Sequence, residues 1–314
     1  SLAVAAAVAV VALFTLQPSQ TPPLVRESPS FDGARAMQDV RTIATEFPRR
    51  VAGSEGDGRL TLWLVAQLEE IGLEASIESF PARRGGRDVA LQNVYAFADG
   101  TTRGTVALVA NRDIVRSATQ GANDNATGVA ALLELARVFA VTSHRHRLLF
   151  LWTDGDAEGG LGAADFVARH EVDDLIAVIA VRGIAPSGAT GLRVDGWSDR
   201  PLLAPHWLWL LSAPAARTNG APLAELPGPF TQTLRLAAPL AGGLQAPFVA
   251  AGVPAISLTA AGPELAPAAD TLANLSGQTL ARVGASLQVM VMTVDAASLP
   301  PDRSGGTIFL NRQR

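Results

Sequence analysis

The sequence predicts an α/β fold: a three-layer sandwich with helices on both faces of a central mixed, largely parallel sheet. Three observations predict it. Leu148–Thr153 and Leu175–Val181 are unbroken apolar runs, as in strands buried on both faces. Segments with apolar residues at helical spacing alternate with such runs, the pattern of α/β layering. Linker-like sequence precedes residue 34 and does not recur before Ser298-Leu299-Pro300-Pro301, so residues 34–297 read as one domain and 298–314 as a tail.

In chain order, Leu2 to Leu16 is apolar except for Thr15, and a Pro-rich linker, 17–33, follows. The apolar segment is shorter than the roughly 20 residues of a spanning helix. It reads as a membrane anchor or as the apolar part of a signal peptide. Either reading places the rest of the chain outside the cytoplasm, membrane-anchored or secreted, with the membrane as a partner through segment 1–16. Ala34–Phe47 is helical and is stopped by Pro48. Leu60–Ile71 repeats apolar residues at helical spacing, and Gly72 ends it. Glu74–Phe80, Val89–Phe97 and Thr105–Val109 are strand-like. Gly128–Val141 is helical, Leu148–Thr153 a strand, Leu161–His170 helical and Leu175–Val181 a strand. Trp207–Leu211 reads as helix, Thr233–Ala237 and Ala255–Thr259 as strands, and Leu280–Val294 as the last helix.

Composition narrows the function. With 48% hydrophobic residues the chain can bury a large core, which excludes wholesale disorder. Its 25 basic and 29 acidic residues give a net charge of −4, against nucleic-acid binding. There is no Cys, so thiolate metal sites, disulfides and Cys nucleophiles are excluded. The only imidazoles are His144, His146, His170 and His206. His144 and His146 read as a solvated turn, His170 as a helix C-terminus and His206 as packing beside Trp207 and Trp209. There is no Gly-x-Ser-x-Gly nucleophile elbow.

Sites in open α/β sheets lie beyond the carboxyl ends of the strands, and two such loops are rich in acids. The first reads Ala110-Asn111-Arg112-Asp113, then Gly121-Ala122-Asn123-Asp124-Asn125-Ala126-Thr127-Gly128. The second reads Asp154-Gly155-Asp156-Ala157-Glu158-Gly159-Gly160-Leu161-Gly162. Taken singly these are ordinary helix caps and turns.

Taken together they resemble metallopeptidase family 28, the co-catalytic di-zinc aminopeptidases. The resemblance rests on Asp124-Asn125-Ala126-Thr127-Gly128 and Asp154-Gly155 through Gly162. It extends to Pro48-Arg49-Arg50-Val51-Ala52-Gly53-Ser54, to Ala246-Pro247-Phe248 through Gly252-Val253-Pro254-Ala255-Ile256, and to Asp270-Thr271-Leu272-Ala273-Asn274-Leu275. It implies an aminopeptidase-like domain, two zinc ions and a general-base Glu acting on a bridging water. Carried over position by position, the first His falls at Asn111 and the bridging Asp at Asp124. The general base falls at Asp156, shortened from Glu, and its neighbouring ligand at Ala157. The acid after the next strand falls at Arg182 and the last His at Ala266. Asp113, which would orient the first His, is kept. One retained ligand cannot hold a zinc ion that needs about four. No metal is therefore expected, and zinc only if the family's activity is retained.

The leading expectation is a membrane-tethered, extracytoplasmic, catalytically inactive domain that binds or scaffolds a protein or peptide. One alternative is an active hydrolase with rearranged ligands, or with a hard cation on Asp113, Asp124, Asp156 and Glu158. The other is a solute-binding module using the old substrate cleft. The resemblance further implies a cis Asp124–Asn125 peptide. The substitutions at Ala157, Leu244, Gln245 and Ala266 imply a wider, less polar cleft. Arg182 is expected to neutralise Asp124, Asp156 or both, in a buried pair worth about 3–5 kcal/mol.

Overall fold

A computed structural model describes residues 22–84, 86–157, 159–221, 228–239, 242–298 and 303–306. The apolar segment 1–16 lies outside the described residues. No helix among those described is long and apolar enough to cross a membrane.

The strands are β1 (Ala75–Arg84), β2 (Arg87–Ala98), β3 (Thr102–Asn111), β4 (His146–Thr153), β5 (Leu175–Val181), β6 (Gly191–Asp195) and β7 (Ala255–Ala261). The helices are α1 (Gly33–Glu46), α2 (Glu55–Glu70), α3 (Thr127–Ala140), α4 (Leu161–Arg169), α5 (His206–Thr218), α6 (Pro229–Ala237), α7 (Ala246–Ala250) and α8 (Gly277–Ala296). Among the described residues the strands form one sheet in the order β1-β2-β4-β3-β5-β7-β6. The four central strands, β4, β3, β5 and β7, run parallel. The β1–β2 hairpin and β6 join the two sides antiparallel.

Period-two alternation explains why the central runs are apolar throughout. Val106, Leu108 and Ala110 of β3, with Leu148, Phe150 and Trp152 of β4, face the large core under α1, α3, α5 and α8. Ala107 and Val109, with Leu149 and Leu151, face the second core under α4 and α7. Both faces are dry, so polar alternation is suppressed. After β3 the chain steps sideways to β4, then crosses back over β3 to reach β5. That reversal opens a crevice at the carboxyl end of β3, where α/β sheets place their sites.

Two segments depart from the sequence reading. Thr233–Ala237 was expected as a strand and belongs to α6. Pro229 opens this helix at a position that needs no N–H, and Phe230 and Leu234, one turn apart, share its exposed side. Strand β6 was not foreseen, although Gly191-Leu192-Arg193-Val194-Asp195 alternates as an edge strand should, with Leu192 and Val194 inward.

Both flanks of the domain are held. The Val25 N–H donates to Thr293 Oγ1 and the Phe31 N–H to Gln288 Oε1, both on α8. Leu203 and Gly305 exchange backbone bonds, and Ser304 Oγ donates to the Val253 carbonyl.

The closing glycine of the second acidic loop is fixed by space. A Cβ on Gly162 would lie 2.5 Å from the Asp154 carbonyl oxygen and 2.6 Å from Asn93 Oδ1. Gly162→Ala is expected to lower stability by about 1–3 kcal/mol, read as a lower urea midpoint with unchanged slope.

Candidate functional site

Three adjacent parallel strands deliver the predicted residues to one place. Asn111 ends β3, Asp154 and Asp156 follow β4, and Arg182 follows β5. Asp124 comes from the turn between β3 and α3.

This turn is built by its own polar groups. The Asp270 carboxylate accepts from the backbone N–H groups of Asn123 and Asp124, the second at 2.9 Å. Thr127 Oγ1 donates to the Asn123 carbonyl and accepts from the Ile184 N–H. Asn125 is the hub. Its Oδ1 accepts from Nε and Nη2 of Arg50 at 3.1 and 2.7 Å, and its Nδ2 donates to the Asp113 carbonyl. Arg50 is fully buried and also donates to the carbonyls of Phe47, Gln120 and Gly121. Burial lowers its pKa to about 10. The expected cis bond is absent: the described residues contain no cis peptide. The bend is made instead by Asn125 at φ +94°, a region Asn tolerates better than most residues. Gly128 then lets α3 approach the end of β5, since a Cβ there would lie 3.0 Å from the Val181 carbonyl oxygen.

Behind the loops is a buried ionic cluster. Arg112 Nη2 lies 3.0 Å from Asp57 and 3.2 Å from Asp154, and Nη1 donates to Thr61. Among the described residues Asp57 Oδ1, Asp154 Oδ1 and Arg112 Nε have no hydrogen-bond partner. Asp57 had not been singled out in the sequence. It projects from α2, far along the chain from both acidic loops.

The positions that the resemblance assigns to the metal site make other contacts or carry no donor atom, with Asn111 Oδ1 and Asp156 Oδ2 buried and without a hydrogen-bond partner among the described residues. Asn111 Nδ2 donates to the Asp113 carbonyl. The Asp113 carboxylate accepts from the N–H groups of Asp156 and Ala157 at 3.1 and 3.0 Å. Asp156 Oδ1 accepts from the N–H groups of Gly162 and Ala163 at the start of α4. Ala157 lines the cleft, whereas Ala266 is exposed ahead of the short helix Pro267–Ala269. Arg182 grips Asp124 with two parallel bonds, Nε to Oδ1 at 2.6 Å and Nη2 to Oδ2 at 2.7 Å. It makes no such contact with Asp156.

Among the described residues no three His, Cys, Asp or Glu side chains group to hold a metal ion. Glu158, the fourth member of the hard-cation alternative, lies outside them. A di-zinc pair does not fit the residues described: both oxygens of the one retained ligand are taken by a guanidinium, and alanines stand where donors are needed.

No histidine lines the cleft. His146 was read as part of a solvated turn, but it begins β4, is buried, and lies 3.3 Å from Asp295. Register in the sheet turns its ring inward. His170 Nε2 meets Glu78 at 2.8 Å and stacks on Phe166. His206 opens α5, where burial lowers its pKa to about 4.

The cleft comprises two neighbouring cavities that share Arg182, Gly242, Gly243 and Leu244 in their walls. One, of about 840 Å³, extends past Asp156 and Ala157, and the other, of about 400 Å³, past Asp124 and Ser257. Half of the described residues in the wall of the larger are Ala, Val, Leu or Pro, and glycines and the charged Asp156, Arg182, Asp199 and Arg200 make up the rest.

Residues 93–291 match the model of peptidase family M28. The chain belongs to this family. The M28 domain is 26% identical over 159 residues to the alkaline phosphatase isozyme conversion protein of Escherichia coli (strain K12). That match covers 44% of this chain and 46% of the relative, so the chain spans just under half of the relative's length. Among solved structures, BSAP, a zinc aminopeptidase from Bacillus subtilis, superposes with a TM-score of 0.69 at 15% identity, covering 85% of this chain and 95% of that one. The glutaminyl cyclase of Fimbriiglobus ruber superposes with a TM-score of 0.72 at 19% identity, covering 88% and 99%. At these identities the superpositions establish the fold.

Two expectations follow from the site's electrostatics. The Arg182–Asp124 pair is partly open to solvent, with side-chain exposures of 36% and 37%. The cost of about 3–5 kcal/mol that a buried pair would carry therefore does not apply, and Arg182→Ala is expected to cost about 1 kcal/mol or less by urea denaturation. Burial raises Asp113 to about 6, with the charge of Asp154 adding to it, and raises Asp156 to about 7, with the charge of Asp113 adding to it. Between the unfolded carboxylate range and these values, the native state binds more protons than the unfolded chain. These groups therefore contribute stability that is fully present below about pH 4 and is lost as pH rises through 6 and 7. Asp156→Asn is expected to flatten that decline in thermal melts taken from pH 4 to 8.

Proposed function

We propose that this M28 domain is non-catalytic, a membrane-tethered, extracytoplasmic module that binds a peptide or small-molecule ligand in the cleft of its fold. The observation that carries this reading is the two-point grip of Arg182 on Asp124. A guanidinium is permanently cationic and matches a carboxylate's geometry. It supplies the positive charge that this fold's acids otherwise need from a metal ion, and it occupies both oxygens in doing so. The engagement of Asn111 and Asp113 by neighbouring backbone supports the same reading. So does Asp156, one methylene shorter than the Glu at that position and tied to two N–H groups of α4. Tethering is supported by the apolar run Leu2–Leu16 and the Pro-rich stretch after it.

Metal analysis of the purified protein, with an aminoacyl-anilide assay in added zinc, magnesium or calcium, tests this. The expected result is no stoichiometric metal and no turnover. Stoichiometric metal with turnover that Asp124→Ala abolishes would establish a hydrolase instead.

A further inference from the structure

We propose that the smaller cavity binds a single sugar ring through adjacent hydroxyl groups, on a polar shelf formed by Arg193, Asp195, Ser257 and Thr259. This deepens the binding-module reading and rests on it. Register sets the shelf. β6 and β7 pair antiparallel with Arg193 opposite Thr259 and Asp195 opposite Ser257, and residues directly opposite share a face of the sheet. Leu192, Val194, Ile256 and Leu258 turn the other way, into the large core. All four shelf residues line the cavity of about 400 Å³, a volume in the small-molecule range. Asp124 and Arg182 stand elsewhere in its wall, bonded to each other.

The shelf offers polar groups that the protein itself leaves unmet. Ser257 is only 7% exposed, yet its hydroxyl, on the cavity side of β7, has no hydrogen-bond partner among the described residues. Thr259 Oγ1 is sealed from solvent and equally unpartnered. Folded proteins rarely leave such groups unsatisfied. Arg193 Nε and Asp195 Oδ2 lie 3.6 Å apart, too far for a hydrogen bond but close enough for one oxygen to sit about 2.8 Å from each. A ligand hydroxyl in that gap accepts from the guanidinium and donates to the carboxylate at once. An ammonium only donates and is left facing Arg193, and a carboxylate only accepts and is left facing Asp195. A second hydroxyl, on the neighbouring carbon, meets Ser257, whose Cβ stands about 5 Å from that of Asp195. A primary amide also bridges the ion pair, but its one head leaves the Ser257 hydroxyl unmet. Pro186, Pro263 and Leu265 supply apolar wall for the C–H face of a ring.

The test titrates the purified full chain with glucose, galactose and mannose, with their methyl glycosides, and with three single-headed probes: acetamide, ethylammonium and acetate. Amide chemical shifts of Asp195, Ser257 and Thr259 report occupancy. At least one sugar is expected to half-saturate at a concentration about tenfold below that of any single-headed probe, the scale of one further good hydrogen bond. Binding of the methyl glycoside as well identifies the end of a glycan as the source, and binding of the free hexose alone identifies a free sugar; either supports the site. Ser257→Ala removes a hydroxyl that bonds nothing in the protein. It is expected to weaken sugar binding about tenfold while the melting temperature stays unchanged. Should this variant fail to fold, Asp195→Ala, at the partly exposed end of edge strand β6, is expected to remove sugar binding. Sugar binding that these variants leave unchanged overturns the proposal, as does equal or tighter binding of a single-headed probe, or the absence of shifts with every sugar. Absent shifts in a protein without metal or turnover leave the non-catalytic reading standing, whereas stoichiometric metal with turnover overturns both.

Discussion

The buried guanidinium of Arg50 ties together the loops on the Asp124 side of the site. Among the described residues it has no carboxylate within bonding distance and is solvated by neutral oxygens: three backbone carbonyls and Oδ1 of Asn125. It joins the stretch after α1 to the Gln120–Gly121 backbone and to the turn before α3. Asn125 passes the constraint on to the Asp113 backbone, and Asp113 fixes the N–H groups of Asp156 and Ala157. None of these links needs a metal ion. The architecture of the cleft is held by the protein's own donors and acceptors, so the ligand positions could change without loss of the loops.

That independence explains the contrast between motif and site. The residues that carry the family resemblance are mostly those that shape backbone. Asn125 and Thr127 tie the turn, Gly128 and Gly162 permit close approach, and Asp270 caps Asn123 and Asp124. Asn111, Ala157, Arg182 and Ala266, which the resemblance places at metal-ligand positions, tie none of these turns. A sequence can keep the first set under folding constraint alone, whatever stands at the second.

The central strands were legible because burial on both faces leaves an apolar run that needs no partner to be recognised. The positions of Asn111, Asp156 and Arg182 were legible because each lies beside the end of such a run, and that of Asp124 because its motif runs into the helix at Gly128. What escaped the sequence depends on contacts between distant segments. Asp57 meets Arg112 from the far side of the β1–β2 hairpin, and Arg50 finds Asn125 across a long stretch of chain. The bend at Asn125 could be made by a cis bond or by a left-handed φ, and local sequence does not choose between them. Thr233–Ala237 is too short for β-branching to outweigh the proline that starts its helix.

The pinning of Val25 to Thr293 gives the molecule a polarity. Thr293 lies in the last turn of α8, and two residues on, Asp295 accepts from the N–H groups of Arg145 and His146 where β4 begins. The cleft lies at the other end of that strand, about 25 Å away at 3.3 Å per residue. The N-terminal side of the domain therefore departs from the pole opposite the cleft. A tether on that side, as proposed, would leave the binding mouth on the face of the domain turned away from the point of attachment.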